Sequence, residues 1–236
     1  MDVVIPYRHS DFNELKFALR SIEKFIPNLG QVFLVGDKPD WIKAGTLVHL
    51  KCMDTPGIHY KENNIMKKVF RACADHTLTE DFIFMNDDHF LLQPLDYLPC
   101  YYQSTIKDRY QTRTAHDHYY HSLVSTHCAL IRHKKPTRYF DIHAPIVYNK
   151  HKFMDIMTSY DWSQAYGYVV KSLYCNTLGI KGEYMADLKI IDRLKCAELE
   201  KVVEGRPFFS IGEAANCAEL ETFLRYLYRD KSKFEK

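Results

Sequence analysis

Asn86, Asp87, Asp88 and His89 directly follow the apolar run Phe82–Met85, so two adjacent carboxylates and an imidazole stand just past a segment with no polar residue of its own. A continuous apolar run of this length, bounded by polar residues, predicts a strand covered on both faces. The carboxyl end of such a strand is where open α/β sheets place their ligands. Two carboxylates held together repel unless a cation lies between them, and oxygen ligands favour Mg2+ or Mn2+. An ion bound there would neutralise a diphosphate, with Asp88 as the direct ligand and Asp87 reaching a ribose, or the ion through water.

Other residues extend this reading. Tyr7, Arg8 and Asp37 fall at the ends of the first two expected strands and face one crevice. There Tyr7 would stack on a uracil, Arg8 pair with phosphate, and Asp37 accept from base or ribose. Lys68, on the helix before the Asp-Asp strand, is a candidate for the diphosphate. His143, between Asp141 and Pro145, is the candidate imidazole to complete the ion's ligands, with His151 as competitor. For proton transfer from an acceptor the candidates are Asp161, beside Trp162, and Asp187. Trp162 offers an aromatic face to a sugar or base. The ordinary alternative for either acid is a helix cap or a solvated surface group. His116, Asp117, His118 and His121 suggest a zinc site if the segment is extended, but no further ligand of fixed geometry is evident.

The elements that must position these groups read in order as a strand over 3–7, a helix opened by Asp11 and Glu14 and carried by Leu15, Leu19, Ile22 and Ile26, and strands over 31–36 and 46–50. A helix over 61–76 and the strand 82–85 follow. Alternating strands and helices predict a Rossmann-type, mostly parallel sheet flanked by helices, with residues 1–96 as a nucleotide-sugar-binding half. Residues 97–236 are more irregular and rich in Tyr, His and basic side chains, as an acceptor-binding half of the same domain would be. Near the end, Ser210 and Glu213 form a capping-box pattern ahead of an amphipathic helix reaching Leu227, and residues 230–236 read as frayed.

Composition sets the class. Apolar residues make up 46% and charged residues 26% of the 236 positions, as in ordinary globular proteins. No stretch approaches the length of a membrane span, and the first residues lack the basic start of a signal peptide. Seven dispersed cysteines without a CxxC pair fit reduced thiols and a cytoplasmic setting. The net charge is only +2, yet Lys and Arg at 107, 109, 113, 132, 134, 135 and 138 far outweigh Asp108 and Asp117. Such a stretch, with Lys134 and Lys135 at its centre, suits an anionic polymer such as DNA or a charged glycan.

Asp87–His89 resembles the DxD-type motif of the GT-A glycosyltransferases. Residues 14–24, 31–37 and 39–42 resemble one conserved block of the Stealth-type sugar-phosphotransferases, and Asn64 with residues 82–90 resembles another. The likeness covers roughly residues 2–96, with an echo at His143–Pro145. Where the Stealth families open on a Trp-Val-Asp-Gly-type segment, this chain has Tyr7, Arg8 and His9. The resemblance implies a GT-A-like fold, a nucleotide-sugar donor bound in part by Asn64, and a divalent metal. The expected activity is metal-dependent transfer of a sugar from a UDP-sugar to an acceptor, for which a hydroxylated base in DNA is one candidate. The alternatives are a Stealth-type sugar-phosphate transferase acting on a capsule or cell-surface glycan, and a non-catalytic module that binds nucleotide sugars or polyanions.

Overall fold

The computed structural model describes residues 1–236. The first half carries β1 (Asp2–Tyr7), α1 (Glu14–Phe25), β2 (Val32–Gly36), β3 (Val48–Leu50), α2 (Lys61–Cys73), β4 (Asp81–Phe84) and β5 (His89–Leu91). Then come β6 (Tyr101–Tyr102), β7 (Ser104–Thr105), α3 (Ile106–Gln111), α4 (His118–Arg132), β8 (Arg138–Tyr139), β9 (Ile146–Asn149), α5 (Lys150–Thr158) and α6 (Val170–Thr177). The chain ends with β10 (Glu183–Tyr184), β11 (Lys189–Ile190), α7 (Cys196–Val203), β12 (Phe208–Ile211) and α8 (Ala218–Leu227).

The central sheet has the order β3-β2-β1-β4-β9. Its first four strands are parallel and β9 runs antiparallel on β4. Every residue of β1 and β2 is buried, which is why both read as unbroken apolar runs rather than alternating ones. A second, smaller sheet is ordered β11-β12-β5. α1 lies between the two sheets: Leu15, Leu19 and Ile22 pack into the main core, while Phe17 and Ala18 join Phe90, Phe209 and Phe223 on the other side. The mostly parallel α/β sheet expected from the sequence is therefore present, with its β9 supplied by the second half.

Three local expectations are corrected. α1 begins after Asn13, and no side chain caps it, so Asp11 does not serve as its N-cap. Ser210 and Glu213 do not open a helix: Ser210 is a residue of β12, and α8 starts only after Cys217. The end of the chain is not frayed. Phe234 is buried, Ile42 bridges to Glu235, and Glu235 receives both Arg20 Nε and Nη2 at 2.7 Å.

Candidate functional site

The chain changes sheets at Asp87–Asp88. After β4 the Met85 amide still bonds to Val4 O at 3.1 Å, then a turn closes from His89 N to Asn86 O, and β5 leaves to pair with β12. A turn between two sheets cannot carry buried backbone pairing of its own, so polar residues concentrate there. Both carboxylates are half-buried. Burial, then Asp88, then Glu14 push the Asp87 carboxyl well above its usual range, with Lys68 opposing. Glu14, in the first turn of α1, is itself raised by burial and by Asp88. The charges of Glu14, Asp87 and Asp88 are thus felt by one another across this edge of the cleft.

Strand register explains what faces them. In the small sheet Lys189 pairs with Ser210, and Ser210 with His89, so the three lie in one row across it. Ser210 Oγ donates to Asp88 Oδ2 at 3.2 Å, and Lys189 Nζ lies 3.5 Å from the same oxygen. Asp88 Oδ1 is buried and accepts no hydrogen bond. His89 is fully buried, and its Nδ1 accepts from the Asn86 amide at 3.4 Å. Its Nε2, unpartnered, stands 3.8 Å from Asp88 Oδ1. Burial, then Lys171, His143 and Lys189, hold its pKa well below the usual range, so His89 is a neutral packed ring.

His143 enters from the loop between β8 and β9. Its backbone is fixed on both sides, because the buried Lys171 ammonium donates to Ile142 O at 2.9 Å and Ala144 O at 2.6 Å. Asp141 accepts from the Lys171 and Ser172 amides, anchoring the same loop to the start of α6. The His143 imidazole meets Asp187, with Nδ1 2.9 Å from Oδ2, and the His143 amide donates to Asp187 Oδ1 at 3.1 Å. Lys189 Nζ lies 3.1 Å from Nε2. With Nδ1–H directed at a carboxylate, Nε2 keeps its lone pair. Asp187 stays ionised: burial raises its carboxyl, but the His143 bonds and the nearby Arg109 charge bring it below its ordinary range. His143 and Asp187, expected in separate roles, form one pair, and Lys189 links that pair to Asp88.

The remaining expected site residues separate into groups. Arg8 and Asp37 are exposed at the strand ends, with Asp37 accepting from the His9 amide at 2.8 Å. Tyr7 is only 4% exposed and its hydroxyl is raised to about 12 by burial, so its ring offers no face for stacking. Asn64 spends both amide groups on the Thr55 backbone, at 2.9 Å each, and holds that loop against α2. Lys68 is buried and already paired, with Asp54 at 2.8 Å and Tyr7 O at 2.9 Å. Asp161 is exposed and closes a turn onto Ser163, and Trp162 lines a cavity of about 330 Å³ between α2 and α5 with Met66, Phe70 and Met157. That cavity includes none of the residues around Asp88. Lys134 and Lys135 are exposed just after α4, and neither bonds to the cluster. His118 opens α4 under an Asp117 cap rather than sharing an extended face with His116. Lys189, Glu14, Ser210 and Lys171 were not legible as site residues; Glu14 and Ser210 stood out only as parts of helix-start patterns.

No family model matches the chain. Among curated proteins it is 32% identical over 103 residues to a capsular polysaccharide phosphotransferase of Neisseria meningitidis serogroup B, covering 38% of this chain and 26% of that protein. It is 33% identical over 105 residues to the receptor polysaccharide phosphotransferase WefC of Streptococcus oralis, covering 41% and 30%. The chain thus spans about a quarter of the length of the curated relatives it matches. Among solved structures it superposes on an active-site mutant of LgtC with a TM-score of 0.56 at 9% identity, over 99% of this chain and 98% of the other. The galactosyltransferase LgtC in complex with donor and acceptor sugar analogs gives a TM-score of 0.54 at 8% identity, over 99% and 97%. The fold is that of the GT-A glycosyltransferases, and the sequence is similar in part to Stealth-type polysaccharide phosphotransferases.

Proposed function

We propose that this protein transfers a sugar phosphate from a nucleotide-diphosphate sugar, most simply a UDP-sugar, to a hydroxyl of a glycan. The observation that carries this reading is the line Asp187–His143–Lys189–Asp88, which joins an oriented imidazole to a cationic, carboxylate-rimmed cleft at a GT-A strand end. The local sequence similarity to polysaccharide phosphotransferases favours sugar-phosphate over sugar transfer. Once Lys189 turns from His143 Nε2 to the donor phosphates, Nε2 takes the acceptor's proton while the ionised Asp187 stabilises the imidazolium that forms. The acceptor oxygen bonds to the sugar-bearing phosphorus, the phosphoanhydride bond breaks, and a nucleoside monophosphate leaves. Lys189 offsets negative charge on the phosphates, and Arg8 and Asp37 are the exposed groups available to the nucleotide.

The residues suit a divalent ion. Asp88 Oδ1 is buried without a partner, and burial together with the Asp88 charge raises the pKa values of Glu14 and Asp87. No three His, Cys, Asp or Glu side chains stand close enough to enclose a metal, so donor phosphate oxygens and water would complete the ligands of Mg2+ or Mn2+ on Asp87 and Asp88. When bound, such an ion supplies charge neutralisation to the diphosphate. His143, expected from its place between Asp141 and Pro145 to be a metal ligand, serves in this reading as the base, because its ring is aligned by Asp187.

The departing nucleotide tests the reading. Incubated with UDP-sugars, Mn2+ and bacterial polysaccharides, the protein should release UMP, and His143→Gln should slow release by about 10²–10⁴-fold. Release of UDP would instead indicate sugar transfer, with a hydroxylated DNA base among the acceptors to try. If UDP-sugars bind but neither nucleotide is released with any acceptor, the chain is a binding module.

A further inference from the structure

One ammonium occupies both working ends of the candidate site at once. Lys189 Nζ lies 3.1 Å from His143 Nε2 and 3.5 Å from Asp88 Oδ2. It therefore covers the lone pair that would take a proton and neutralises the carboxylate that would face a diphosphate. His143 has no other ring nitrogen to offer, because Nδ1 is directed at Asp187. A hydroxyl arriving in this state finds Nε2 already accepting from an ammonium, and its proton has nowhere to go.

Lys189 is placed to leave. It stands on β11, a strand of two residues at the edge of the small sheet, paired on one side alone. Its side chain is 27% exposed, whereas Lys68 and Lys171 are buried with their ammonium groups on backbone carbonyls. Beside it a cavity of about 210 Å³ runs past Asp187, Asp192 and Arg206, so the ammonium has open space to swing into. The 3.5 Å to Asp88 exceeds the roughly 2.7–2.9 Å of a tight charge-assisted bond, so this hold is weak. A diphosphate arriving with a divalent ion gives both sides a better partner: the carboxylates keep a counter-ion, and the ammonium gains phosphate oxygens. We infer that Lys189 is an interlock that sets the order of binding. It blocks the base in the unliganded protein and frees it only when a donor diphosphate is bound, so the acceptor hydroxyl is served second. This rests on the transferase reading and adds a regulation to it: a glycan that arrives first meets no base.

The probes are Mg2+ alone, inorganic pyrophosphate with Mg2+, and UDP with Mg2+, added at one pH to the full-length chain carrying 15N-labelled histidine. The readout is the nitrogen shift of His143 Nε2, assigned from the His143→Gln spectrum, which separates a lone pair that accepts a hydrogen bond from one that does not. Lys189→Met keeps the length of the side chain and removes the donor, so it should move Nε2 to the free position with no probe added. Pyrophosphate or UDP with Mg2+ should move the parent resonance to that same position and leave the variant where it is. Diethyl pyrocarbonate acylates an imidazole lone pair, and it should modify His143 about tenfold faster in unliganded Lys189→Met than in the parent, the scale of one lost hydrogen bond to a charged group. Equal rates overturn the interlock. So does a parent Nε2 that is already free without a probe, or that neither diphosphate moves. A full response to Mg2+ alone overturns the donor-first order and gives the release to the ion. The shift is read in the unmutated protein, so misfolding of the variant does not decide the matter. If UMP is released while Nε2 stays free throughout, the interlock falls and the transferase reading stands. If Nε2 follows the diphosphate but no nucleotide is released with any acceptor, the transferase reading falls and the interlock stands.

Discussion

At the scale of single residues, the candidate site is organised by buried groups behind it. Lys171 buries its ammonium to fix the two carbonyls around His143, and Asp141 fixes the same loop from the other side. These buried charges act on another buried group, Glu62, in the first turn of α2. It is 7% exposed, and burial, reinforced by Asp141, raises its carboxyl to about 7. A carboxyl whose folded pKa exceeds its unfolded value adds stability below the unfolded pKa and loses it as pH rises through the folded one. The native protein should therefore lose stability between about pH 4.5 and 7 on account of this one group. Glu62→Gln keeps the shape and removes the titration. At pH 8 it should gain up to about 3 kcal/mol relative to the parent, and the gain should vanish near pH 4. Urea titrations at both pH values measure this, and a difference independent of pH would refute the burial argument.

At the scale of elements, the C-terminal segment after α8 is a strap rather than a tail. Glu235 closes a bidentate pair with Arg20 of α1, both side chains nearly inaccessible at 4% and 9%. Burial raises the Glu235 carboxyl, but the Arg20 and Ser232 bonds more than reverse this and hold it low. Removing one member leaves an uncompensated buried charge, so Glu235→Ala should cost about 3–5 kcal/mol at neutral pH. A depressed carboxyl contributes stability that is lost as pH falls, so parent and variant should converge in acid. Equal stability at pH 7 would mean that the pair forms no part of the folded ground state. None of this was legible in residues 230–236, whose charged composition matches a frayed end; long-range pairing with α1 decided their fate. The central strands were legible because full burial writes itself as unbroken apolar runs. Phe208–Ile211 carries the same signal, yet the Ser-x-x-Glu pattern overlapping it was read as a helix start, and sheet pairing on both edges of β12 overrode it. Asp87–Asp88 could be placed because it abuts such a run. Lys189 could not, because only the register of β11 on β12, across 21 residues of sequence, brings it to Asp88.

At the scale of the molecule, the two halves expected from the sequence, 1–96 and 97–236, do not divide the core. β9 completes the central sheet along β4, and β12 pairs with β5, so two strands of residues 1–96 depend on partners beyond them. The apolar side of α1 formed by Phe17 and Ala18 is covered by Phe209 and Phe223, and Phe82 and Phe84 pack against Tyr148. Cutting after residue 96 exposes all of these surfaces and leaves the β4 and β5 edges unpaired. A fragment of residues 1–96 should therefore lack a cooperative unfolding transition and bind a hydrophobic dye. The full chain should unfold in a single transition, monitored alike by tryptophan fluorescence (Trp41 in the first half, Trp162 in the second) and by far-ultraviolet circular dichroism. Two separated transitions, or a 1–96 fragment that melts cooperatively and still binds UDP, would establish the donor half as an autonomous unit. The candidate site spans the same division: Asp88 belongs to the first half, while His143, Asp187 and Lys189 belong to the second, so a fragment of residues 1–96 keeps the carboxylate rim and loses the imidazole pair and the lysine that faces it.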